Sequence, residues 1–97
     1  MLIRFDQGGA ATLEDLDNFR SFKVLCPTTL RNDETIFSRV GRLDGTGYLW
    51  VGREWLSRNG RQNDIAWTQG LTAMVDYAAT AGWLDPTGSI RAHLEFI

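Results

Sequence analysis

A chain of 97 residues, 43% apolar and 23% charged, has the composition of one folded domain, which excludes a disordered or low-complexity protein. Its formal net charge of −2 excludes a strongly basic nucleic-acid or membrane-surface binder, and its single cysteine, Cys26, excludes an internal disulfide framework. No run reaches the length of a membrane span and the first six residues carry no secretory pattern, so the expected compartment is the cytoplasm, with no membrane partner.

Ile3 and Phe5 alternate with Leu2, Arg4 and Asp6, the period of a half-buried strand, which Gln7, Gly8 and Gly9 end in a turn. Thr12 with Asp15 three residues on imitates a capping box, and Leu13, Leu16 and Phe19 or Arg20 follow at helical spacing, so a short helix is expected near 12–20. Phe22 to Cys26 reads as an extended stretch stopped by Pro27, which lacks an N–H and restricts the residue before it. Residues 33–43 fit two descriptions. Asp33 caps a short helix carrying Ile36, Phe37 and Val40, or the segment is the first arm of a hairpin that turns at Asp44, Gly45, Thr46 and Gly47 and returns from Tyr48. The balance favours a helix or turn passing into a strand near Arg39.

The segment from Tyr48 to Leu56 is apolar on both faces at its start, as in a central strand or one covered by a partner. On one continuous strand, Trp50 and Trp55 point to opposite faces. Asn59 and Gly60 mark a turn, Asn63 or Asp64 caps the next helix, and Trp67, Leu71, Met74, Val75 and Ala78 form an amphipathic stripe over about 63–82. Gly82 suits the left-handed position after that helix, with Trp83 and Leu84 folding back over its last turn. After a turn at Asp85, Pro86, Thr87 and Gly88 the tail alternates, Ile90, Ala92, Leu94 and Phe96 facing one way and Arg91, His93 and Glu95 the other. The expected architecture is one α+β domain over 1–97: a two-layer fold with a small, mostly antiparallel four-stranded sheet, one long helix packed on one face and the short helix near 12–20.

With one histidine and one cysteine there is no metal-ligand or Cys-His spacing, so no metal or cofactor is expected. Glu14 with Asp15 and Asp33 with Glu34 are adjacent in sequence and read as helix-start residues, and the glycine pairs lack the phosphate-loop pattern. Cys26 lies in an apolar run and reads as a buried thiol. His93, flanked on the polar face by Arg91 and Glu95, fits either a general base with an orienting partner or an exposed strand histidine paired across the sheet with Asp6 or Arg4. From Arg39 to Arg61 five arginines, Arg39, Arg42, Arg53, Arg58 and Arg61, outweigh Asp44 and Glu54 for a net +3, between flanks of −2 and −3.

Tryptophan is abundant for this length, and an exposed Trp50 or Trp55 beside Arg53, Arg58 and Arg61 makes a stacking and anion-binding surface. The favoured reading is a binding or interaction module that associates with itself, as a homodimer, or with another protein, through the open sheet face or the edge of the terminal strand. The alternative is a small enzyme or ligand-binding protein using His93 with Glu95 or an arginine such as Arg91. Nucleic-acid binding through Arg39–Arg61 is the least favoured. No reaction type is readable.

Overall fold

In a computed structural model that describes residues 1–45 and 47–97, strand β1 (Leu2–Phe5) turns back through Gln7, Gly8 and Gly9 into β2 (Ala11–Glu14). The Asp6 carboxylate accepts the Gly8 and Ala10 N–H groups at 2.8 and 3.0 Å, and Gly9 takes φ 85°, a conformation that favours glycine. The helix expected near 12–20 is therefore replaced by a strand and turns. Leu13 sits opposite Ile3 and Ala11 opposite Phe5, so the two-residue alternation completes a strand pair over the core, whereas a helix this short has little to hold it in water. Asp15, at φ 53°, carries the chain out of the strand.

After β3 (Lys23–Cys26) and a 3₁₀ turn at Thr28–Leu30, α1 (Glu34–Ser38) starts where the Asp33 carboxylate accepts the Thr35 N–H at 3.2 Å. It passes into β4 (Gly41–Asp44), which pairs with β5 (Tyr48–Val51), so residues 33–43 are helix followed by strand. Thr46, part of the expected turn between the two strands, lies outside the described residues. The strand expected to run to Leu56 stops at Val51, and Gly52 opens α2 (Arg53–Asn59). Trp50 is thus on a strand and Trp55 on a helix, and the parity that set them on opposite faces of one strand does not apply. The longest helix, α3 (Ile65–Thr80), lies within the expected span and is capped by Asp64, whose carboxylate accepts the Trp67 N–H at 3.1 Å. The last strand is β6 (Ile90–Phe96).

The sheet has six strands in the order β2-β1-β3-β6-β5-β4, which corrects the four-stranded, mostly antiparallel expectation. The two additional strands are residues 11–14, read as helix, and 41–44. β1 with β3 and β3 with β6 are parallel, and the remaining three pairs are antiparallel. β6 lies between β3 and β5, so the terminal strand has no free backbone edge. The edges are β2 and β4.

Every central strand sends its buried side chains to one face: Ile3 and Phe5, Val24 and Cys26, Leu49 and Val51, and Ile90, Ala92 and Leu94. Phe37, Leu56 and Leu71 from the three helices join them in one core cluster, with the rings of Phe5 and Phe37 meeting edge-on at 5.2 Å. No described side chain on the opposite face is buried. Leu2, Arg4, Lys23, Leu25, Arg42, Tyr48, Trp50, Arg91, His93 and Glu95 lie there, the solvated side of the sheet. No helix among the described residues is long and apolar enough to cross a membrane.

Candidate ligand-binding cleft

The end of α3 builds one wall of a cleft. Gly82, at φ 81°, lets its own N–H donate to the Ala79 carbonyl at 3.2 Å while the Trp83 N–H donates to the Ala78 carbonyl at 2.8 Å. This is the paired closure that a left-handed residue permits at a helix end, and it turns Trp83 back against Tyr77, ring centroids 6.0 Å apart. The Trp83 carbonyl then accepts the Arg91 N–H at 2.9 Å, and Leu84 bridges Ile90, so residues 83–84 run beside the start of β6. β3 takes up that side of β6 only from Lys23, opposite His93. The sheet is interrupted between Trp83 and Phe22, and the cleft opens there.

It encloses about 250 Å³. Five aromatic rings line it, Phe19, Phe22, Tyr48, Tyr77 and Trp83, with Met74, Ala78 and Ile90 adding apolar surface. Its ionisable side chains other than tyrosine are Arg20, Arg91 and His93, and no carboxylate lines it. The Arg91 guanidinium lies over the Tyr48 ring, 3.7 Å from the centroid, and the His93 ring lies 5.7 Å from the same tyrosine. Arg91 Nε forms an ion pair with Asp44 Oδ2 at 3.8 Å, too long for a hydrogen bond, and this buried atom has no hydrogen-bond partner among the described residues. Arg20 enters none of the ion pairs among the described residues.

The loop leading into β6 is fixed by Asp85. Its side chain, 7% exposed, accepts hydrogen bonds from the Thr87 hydroxyl at 2.7 Å, the Ser89 N–H at 2.8 Å and Arg42 at 2.7 Å. These bonds, the Thr87 hydroxyl first, hold its carboxyl well below the usual range, at about 2, against the opposing effect of desolvation. Arg42 also lies over the Trp50 ring, 5.6 Å from its centroid.

Of the residues singled out from sequence, Arg91 and His93 come together in the cleft, while Glu95 lies further along the same face opposite Leu25, outside the lining. His93 sits opposite Lys23 and Tyr48, not Asp6 or Arg4, because β1 is not beside β6. Trp50 shares the open face with Arg91, its cross-strand neighbour, but lies outside the lining. Trp55 is half-buried on α2 against the core, with Arg53 and Arg58 on the same helix. Arg53 donates to the Thr72 hydroxyl and Arg61 to the Asp17 carboxylate at 2.5 Å. The arginines from Arg39 to Arg61 therefore form no single stripe, since Arg42 is on the sheet and the later ones are on or after α2.

Phe19, Arg20, Phe22, Tyr77 and Trp83 were not readable as site residues. The available signal was a tyrosine off the α3 stripe followed by a tryptophan just past the helix-ending glycine. Cys26 is fully buried, and burial, with a smaller push from Asp33, raises its thiol pKa, which makes it a poor nucleophile. A separate recess near Phe96 carries Arg31 and Glu34 together and favours neither sign of charge. No known protein family, curated protein or solved structure matches the chain, so its function is read from the chemistry of the cleft alone.

Proposed function

We propose that the protein binds a small organic anion with an apolar body in the cleft between Trp83 and Phe22. The observation that carries this reading is a lining of five aromatic rings together with the nitrogen groups of Arg20, Arg91 and His93, in which the nearest carboxylate to Arg91, that of Asp44 at 3.8 Å, is not itself part of the described lining. The rings supply apolar area, about 25 cal/mol per Å² removed from water, and orient a ligand by stacking. Arginine presents a planar fork that suits carboxylate or phosphate oxygens. At about 250 Å³ the cleft lies just below the usual range for small-molecule sites, which suits a small ligand. Titration with phenylacetate, followed through Trp83 fluorescence, tests this. Arg91→Ala and His93→Ala weaken binding while circular dichroism stays native; affinity unchanged in both variants removes the proposal.

A second reading is self-association of two copies through the open sheet face, favoured by Tyr48 and Trp50 both lying on the side that no helix covers. Sedimentation of the protein and of Trp50→Ala tests it. A dimer weakened by the substitution supports the reading, and a monomer in both cases removes it.

A further inference from the structure

We infer that the ligand is a chain-like amphiphile, with its anionic head at Arg91 and His93 and a linear apolar tail lying along α3 towards Gly70. The inference rests on the reading of the cleft as an anion site and adds the shape of what fills it. The cleft continues beyond Tyr77. A second recess of about 460 Å³ is lined by Gly70 and Ala73 together with Phe19, Arg20, Met74 and Tyr77, and these last four also line the first. The two form one groove without a carboxylate along its length.

The groove is asymmetric. Arg91 and His93 lie only at the Trp83 end, Arg20 borders both recesses, and the far end otherwise offers the apolar surface of Gly70, Ala73, Met74 and Phe19 beside Tyr77. At Gly70 a Cβ would meet the Phe19 ring at 2.4 Å, so the bare glycine lets that ring lie directly against the helix. From Gly70 to Ala78 the groove follows eight residues of α3, about 12 Å of helix. An extended covalent chain advances roughly 3.5 Å per three bonds, so about ten bonds span that length. A compact ring would fill the Trp83 end and leave the Ala73 end in water. A peptide is less suited, because the backbone groups of a helix flank are already bonded and offer no strand-like pairing. A hydrocarbon tail needs no such partners.

Isothermal titration with straight-chain carboxylates from butanoate to dodecanoate, each below its micellar concentration, with phenylacetate as the compact anion, tests the inference. The expected result is affinity rising roughly two- to fourfold per methylene and levelling near ten carbons. Ala73→Glu, at an exposed helical position, should abolish the gain of decanoate over butanoate and leave phenylacetate binding unchanged; Ala73→Gln should reduce that gain without adding charge. If phenylacetate binds but affinity does not rise with chain length, or Ala73→Glu binds decanoate as the native protein does, the tail inference falls and the anion cleft stands. If no carboxylate binds at all, the anion reading falls and takes the tail with it.

Discussion

Tyr48 holds two cationic or ionisable neighbours at once, the Arg91 guanidinium 3.7 Å from its ring centroid and the His93 ring at 5.7 Å. Tyr48 and His93 are direct cross-strand neighbours, while Arg91 reaches the ring diagonally from opposite Trp50. The tyrosine thereby positions the guanidinium at the wall of the cleft. Tyr48→Leu should cost anion binding about two- to fivefold, the size of an exposed cation–π contact. Arg91→Ala, which removes the charged donor itself, should cost roughly tenfold or more. Titration of both variants with one carboxylate checks the order; a larger loss for Tyr48→Leu would contradict a positioning role.

Asp85 anchors the approach to β6 and gives the fold an acid-sensitive element. Its carboxyl pKa is about 2 in the folded protein against an ordinary 3.8, so folding favours the ionised form. The stabilisation is fully present above the ordinary value and is lost as pH falls from about 4 through 2. Asp85→Asn should lower the Tm at neutral pH and flatten its decline over that acid window. Thermal unfolding at a series of pH values decides this, and an unaltered acid limb would count against it.

The stripe of α3 distinguishes core from surface sharply. Leu71 is fully buried, and Leu71→Ala should destabilise by about 2–5 kcal/mol through lost transfer energy and the cavity left behind. Ile65, in the first turn of the same helix, is 77% exposed, and Ile65→Ala should stay within about 0.5 kcal/mol. Urea unfolding of the pair measures the contrast.

Gly41 packs where no side chain fits. A Cβ there would lie 1.8 Å from the Trp50 carbonyl oxygen, a backbone atom that cannot move without disturbing the β4–β5 pairing. Gly41→Ala should cost about 3 kcal/mol, the upper range for overpacking. It should also loosen the Arg42 stack on Trp50. A Tm equal to that of the native protein would show that the edge strand shifts freely.

What the sequence revealed follows from whether the deciding contact was local. The stripe from Trp67 to Ala78 was legible because Asp64 and Gly82, the signals for its two ends, lie within the same stretch of chain. The alternation of β6 was legible because one face of that strand enters the core and the other does not. Thr12 to Phe19 was not, since Leu13 satisfies both a helical and a strand period and only its distant partner Ile3 decides between them. The parallel pairing of β3 with β6 joins Val24 to Leu94 across most of the chain, beyond the reach of local periodicity. The site divides in the same way. Arg91 and His93 could be placed on one polar face, but Phe22 on one side and Tyr77 with Trp83 on the other reach them from two separate segments only once β6 has inserted between β3 and β5.

The most direct measurement is a titration of the native protein and of Arg91→Ala with decanoate, read by calorimetry alongside circular dichroism of both. An anion-binding cleft gives saturable one-to-one binding that weakens roughly tenfold or more in the variant while its fold is retained. No saturable binding by the native protein, or equal affinity in the two, would contradict it.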